Sequence, residues 1–211
     1  MVGFRNLEIK VAETEEEREK CYRLRYDVFA QHGFIDRNRY PDGRVTDEYD
    51  DISVIFYASR RNDGGKEEIV GTIRVTPPTE KGFQIEELFD VSKWKQEYGD
   101  SLWESSKVVV KNPGKEGFGA LLGLAGAVYR FLRENDLRAI VYMTGVWNEP
   151  MYRKLGVIRA YPEIKKHPNG QPTVALLWDV GNVPEKYVER FERIPMKIPV
   201  LVNTVCFFSS L

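Results

Sequence analysis

The chain has 211 residues, 42% of them hydrophobic, which is enough for one substantial core and short for two independent domains. Its 31 Lys and Arg balance 32 Asp and Glu, so no overall field argues for nucleic acid or an acidic membrane surface. Two histidines and two distant cysteines, Cys21 and Cys206, make neither a metal-ligand pattern nor a disulfide framework and fit a reducing, cytoplasmic setting; no apolar run reaches membrane-spanning length, and the first residues carry no signal-peptide pattern.

In chain order, Phe4 to Ala12 alternates as a strand, and Glu13 to Glu17 opens a helix that runs to about Gln31 with acidic residues in its first turn. Cys21, Leu24, Val28 and Phe29 recur at helical spacing as its buried stripe, with Arg25 at the margin, where snorkelling to solvent is the plain reading and a role at a site the alternative. Residues 33 to 51 are polar and aperiodic. A loop of nearly twenty residues is more often functional than idle, and this one ends in Asp47, Glu48, Asp50 and Asp51, either a solvated face or a cluster for an ammonium group. Ile52 to Ser59 and Ile69 to Thr76 read as a hairpin across Asp63-Gly64-Gly65, and Arg74 on its second strand needs a carboxylate if it faces inward. Glu86 to Tyr98 reads as one or two short amphipathic helices.

The stretch Trp103 to Ala120, WESSKVVVKNPGKEGFGA, organises the rest. A β-branched strand carrying Glu104 and Lys107 stops at Asn112-Pro113, and a glycine-rich helix opens behind it. Free backbone N–H groups of Val108, Val109 and Val110 at the strand's irregular end, the close approach allowed by Gly117 and Gly119, and the first turn of the helix together suit a phosphate-bearing ligand. That helix, to about Asn135, is rich in Gly and Ala for close packing on a sheet. Arg138 to Thr144 is a buried strand, Asn148 to Leu155 a helix closed by Gly156, Val157 to Lys165 and Thr173 to Val180 an antiparallel pair, and Pro184 to Phe191 a helix. Residues 195–211 form an apolar tail expected to pack back on the domain or pair with a second subunit. The expected fold is a single mixed α+β domain with a mostly antiparallel sheet covered by helices on both faces.

This order resembles the GNAT acyltransferase fold. KEGFGA after the broken strand is similar to that family's pantetheine and phosphate loop, although Gly114 stands where an arginine or glutamine is usual, and Tyr152-Arg153-Lys154-Leu155-Gly156-Val157 is similar to its Tyr-x-Lys-x-Gly-Phe segment. LRYDVF (24–29), TDEYDD (46–51), VGTIRVTPPT (70–79) and ESSK (104–107) resemble the successive signatures of acyl-homoserine-lactone synthases and long-chain N-acyl amino acid synthases. The resemblance implies an N-acyltransferase taking an acyl chain from acyl-CoA or acyl carrier protein to a small amine, with Arg25, Phe29, Asp47, Asp50, Arg74, Glu104 and Lys107 as site residues and no metal. Val45 stands where the lactone synthases carry glutamate, Phe34 where they carry tryptophan and Lys107 where they carry arginine, so an amino acid or other amine is expected in place of S-adenosylmethionine.

Acyl transfer from a thioester to an amine needs a base for the amine proton, donors for the carbonyl and an acid for the thiolate. Glu104 beside Trp103 is the candidate base, the amides of residues 108–110 the donors and Tyr152 the acid; an ion-paired Glu104 and a merely packed Tyr152 are the plainer readings. Met143 and Trp147, against the small residues of the long helix, are the expected walls of an acyl tunnel. An acetyl-CoA-dependent N-acetyltransferase and a non-catalytic acyl- or CoA-binding module stay open beside the long-chain reading.

Overall fold

The computed structural model describes residues 7–61, 64–112 and 114–201. A first strand, β1 (Leu7–Val11), leads into α1 (Glu15–Gln31). Thr14 starts that helix: its Oγ1 accepts from the Glu17 amide at 3.2 Å while the Glu17 carboxylate accepts from the Thr14 amide at 2.9 Å, so two otherwise unpaired N–H groups are satisfied. The expected hairpin is β2 (Val54–Arg61) with β3 (Glu67–Thr76), although Asp63 at its tip lies outside the described residues. Residues 84–87 make one short 3-10 turn before α2 (Ser92–Tyr98), the two-helix form of the expected 86–98 segment. Next come β4 (Leu102–Val110), α3 (Lys115–Glu134), β5 (Ala139–Gly145) and α4 (Glu149–Arg153), then β6 (Ile158–Arg159), β7 (Lys165–Lys166), β8 (Pro172–Asp179) and α5 (Glu185–Glu192).

The strands form one sheet in the order β1-β2-β3-β4-β5-β8-β6, with β7 also on β8. Among the described residues only β4 and β5 run parallel. On one face α3 and α5 bury Trp103, Phe131, Ile140, Tyr142, Leu176 and Phe191 against the strands; the opposite face is closed by α1 and by the 83–98 segment, with Phe83, Ile85, Phe89 and Val141 inside. Gly126 shows why α3 is rich in small residues. A Cβ there would lie 2.2 Å from Ile194 Cδ1 and 2.7 Å from Phe191 Cδ1, so glycine lets α5 and the following segment lie directly on the helix. Arg130 Nη1 then donates to the Ile194 carbonyl at 2.7 Å and Asn135 Nδ2 to the Pro199 carbonyl at 3.0 Å. The start of the apolar tail therefore packs back on the domain, with Ile198 buried; residues 202–211, including Cys206, lie outside the described residues.

One expected strand is divided. Residues 157–165 pair with β8 at β6, whose ladder ends with the Ala160 amide on the Ala175 carbonyl at 2.9 Å, and again at β7; between them Pro162 has no amide to continue the ladder and its carbonyl instead accepts from Arg159 Nη1 at 2.9 Å.

Candidate active site

The site starts from a defect in the sheet. β4 pairs with β5 only from Leu102 to Glu104, opposite Ala139 to Val141; β4 then continues to Val110 and β5 to Gly145 without pairing to each other, so a gap opens immediately after Glu104. On its other side β4 carries a bulge. The register steps from Thr72↔Val109 to Arg74↔Ser106, leaving Ile73 opposite two residues, Lys107 and Val108. Lys107 takes φ +52° there, a left-handed conformation unusual for a side-chain-bearing residue. Lys111 N donates to the Val70 carbonyl at 2.8 Å, so strand alternation directs the Val108 and Val110 amides away from β3, into the gap. Val109, opposite Thr72 and buried, has its amide turned to β3, which removes it from the three donors expected from the sequence.

Glu104 is 1% exposed. Its Oε2 accepts from the Gln84 amide at 2.8 Å and its Oε1 from the Ile85 amide at 2.7 Å, at the start of the 84–87 turn. Burial pushes the carboxyl up to about 7, against the opposing pull of those amides and of the Arg74 and Lys107 cations. Glu104 is thus a carboxyl that changes charge near neutral pH at the mouth of the gap.

Beside it lies an ion cluster. Asp50, 3% exposed at its side chain, takes Arg25 Nη1 at 2.7 Å and Arg74 Nη1 at 3.2 Å on one oxygen. Arg74 Nη1 also bonds Asp47, whose other oxygen lies 2.8 Å from Lys107 Nζ. Arg74 is held further by Ser106 Oγ at 2.9 Å and Gln84 Oε1 at 3.3 Å. Burial raises the Asp47 carboxyl, yet Lys107 and Arg74 outweigh it and hold the group at about 2. The acidic run of the long loop therefore divides: Asp47 and Asp50 turn inward, whereas Glu48 pairs with Lys81 at the surface and Asp51 is exposed. A cavity of about 410 Å³ between α1 and this loop is lined by Arg18, Tyr22, Thr46, Asp47 and Asp50. A larger one of about 670 Å³, by Lys93, Trp94, Arg159 and Tyr161, touches none of the expected site residues.

The remaining candidates are dispersed. Tyr152 packs edge-to-face on Tyr142, 5.2 Å between centroids, in the cluster on the α3 face, and burial raises its phenol to about 12. Alternation along β4 puts Glu104 on the face opposite Trp103 and hence opposite Tyr152. Phe29 packs beside Val109 and Phe34 on the α1 side. Met143 joins the cluster on the α2 face, away from the small residues of α3, and Trp147 is 54% exposed with its ring over Gly145; these two residues do not share a tunnel along α3. Gly117 has a local reason to be glycine, since a Cβ would lie 2.0 Å from the Asn112 carbonyl, while Gly119 is buried in the same helix start. Gln84 was not foreseen: a polar residue in a turn-rich stretch gives no periodic signal, and only the fold brings its amide to Glu104.

A family model described as N-acyl amino acid synthase FeeM matches residues 20–179. The chain belongs to this family. Isovaleryl-homoserine lactone synthase of Bradyrhizobium diazoefficiens is 27% identical over 146 residues, 68% of this chain and 64% of that protein, so the match spans less than two thirds of its length. BjaI, a CoA-dependent acyl-homoserine lactone synthase solved with SAM and isopentyl-CoA, superposes with a TM-score of 0.68 at 23% identity, covering 92% of this chain and 95% of that one. FeeM, an N-acyl amino acid synthase from uncultured soil microbes, superposes at 0.66 with 16% identity over 83% and 91%. A structure described as a putative N-acetyltransferase from Lactobacillus plantarum superposes at 0.59 with 15% identity over 82% and 98%, and shares the fold. Among the described residues, no helix is long and apolar enough to cross a membrane, and no group of three or more His, Cys, Asp or Glu is arranged for a metal ion.

Proposed function

We propose that this protein transfers a long-chain acyl group from a thioester, carried by CoA or by acyl carrier protein, to the amine of an amino acid or similar small molecule. The observation that carries the reading is a buried carboxyl, raised to about 7, at the point where β4 and β5 part. Family membership supports the reaction class, and the isopentyl-CoA bound to BjaI supports a CoA thioester as donor.

In this mechanism the gap beyond Glu104 receives the donor, and the Val108 and Val110 amides polarise the thioester carbonyl. Glu104 takes a proton as the amine nitrogen attacks the carbonyl carbon; the C–S bond breaks, and Tyr152 gives its proton to the leaving sulfur. Proton return from Glu104 through water restores the phenol.

Mass spectrometry of lipid extracts from cells expressing the protein, beside cells expressing Glu104→Gln, tests the reading. A new amide-linked acyl species present only with the unaltered protein is the expected result, and its fragments name the acceptor. Identical extracts overturn the long-chain assignment.

A further inference from the structure

We propose that Gln84 is a positioning residue that couples protonation of Glu104 to the Arg74, Lys107 and Asp47 ion cluster. The proposal rests on the reading of Glu104 as the base. Gln84 is the residue that touches both halves of the site: its main-chain amide donates to Glu104 Oε2 at 2.8 Å, and its side-chain Oε1 lies 3.3 Å from Arg74 Nη2 and 3.5 Å from Lys107 Nζ. The two cations are themselves fixed. Arg74 is held by Asp47, Asp50 and Ser106, and Lys107 is held on the β4 bulge with Asp47 as its counter-ion.

Charged and titratable groups reach this point from every element around it. β3 supplies Arg74, β4 supplies Lys107, α1 supplies Arg25 on Asp50, the 46–51 loop supplies Asp47, Asp50 and the Tyr49 phenol, whose ring lies under Arg74, and the 84–87 turn itself carries Glu86, paired with Lys95, and Glu87, whose charge acts on Tyr49. β5 contributes only the apolar Val141 opposite Glu104. The oxygen of a neutral amide, directed at two cations, damps their field at the neighbouring carboxyl without adding a net charge. A carboxylate in its place adds a like charge beside Glu104 and raises its proton affinity; an apolar side chain leaves the cations undamped and lowers it. Either substitution keeps the main-chain amide that binds Glu104, so the geometry of that hydrogen bond stays while the field changes.

The test is a ¹³C NMR titration of the Glu104 carboxyl carbon, assigned by its loss in Glu104→Gln, in the unaltered protein, Gln84→Glu and Gln84→Met. The expected result is a midpoint moved upward by about half a pH unit or more in Gln84→Glu and downward in Gln84→Met. Midpoints that agree within about 0.2 unit in all folded proteins overturn the coupling. If one variant does not fold, the other decides by the same criterion. Because the titration needs no turnover, it separates two failures. A moving midpoint with no amide product sinks the acyltransferase reading and leaves the coupling standing; amide product with a fixed midpoint sinks the coupling alone.

Discussion

Replacing Glu104 with Gln should change how stability depends on pH more than it changes stability itself. The folded state holds this carboxyl protonated up to about 7, while its ordinary value is 4.5, so the folded protein binds the proton more tightly than the unfolded chain does. The resulting contribution is fully present below pH 4.5 and is lost as pH rises through about 7. At 1.36 kcal/mol per pH unit, that interval corresponds to about 3 kcal/mol. Glutamine cannot ionise but still offers a carbonyl to one of the two amides, so Glu104→Gln should lack this loss. Urea unfolding of both proteins at several values from pH 4 to 8 gives the comparison, with the variant's relative stability rising by about 3 kcal/mol across the range. Parallel stability curves for the two proteins would refute the raised carboxyl and, with it, the argument that burial prepares Glu104 as a base.

Three further outcomes follow from the same geometry. Asp50→Ala should lower the unfolding free energy by about 3–5 kcal/mol, because Arg25 and Arg74 are left buried with their shared counter-ion gone; calorimetry or denaturant titration reads it. Gly126→Ala should destabilise by about 1–3 kcal/mol, since the new methyl meets Ile194 and Phe191, and added protease should cut the 194–201 segment faster than in the unaltered protein. Tyr152→Phe should keep the melting temperature within a few degrees and lower kcat by about tenfold or more, an effect that shrinks with donors whose leaving thiol is more acidic.

Much of this fold was legible because its elements carry strong local signals. The acidic run Glu13–Glu17 marks the start of α1, the Asp63-Gly64-Gly65 turn between residues 52–59 and 69–76 marks the hairpin, and the small residues of α3 forecast its close packing. Arg74 was legible as needing a carboxylate because a charge on a β-branched strand demands a partner, whereas the choice of Asp47 and Asp50 from the acidic run came from the family resemblance. What the chain order could not show is which face each residue takes once a bulge intervenes. The step at Lys107 and Val108 turns the Val109 amide to β3, while Met143 lies on the sheet face away from α3 and a turn from residues 84–87 caps Glu104, none of which is a local property of the chain. Pro162 was visible, but its effect on the ladder depends on where β8 lies, which is a tertiary fact.

The most direct test of the central claim is the rate of N-acylation by the purified protein, with acyl-CoA donors and a panel of amino acids, followed against pH beside Glu104→Gln. Amide formation that rises with pH through about 7 and falls by about a hundredfold in the variant is the result expected of Glu104 acting as the base. Near-normal turnover by Glu104→Gln, with the same pH profile, would contradict it.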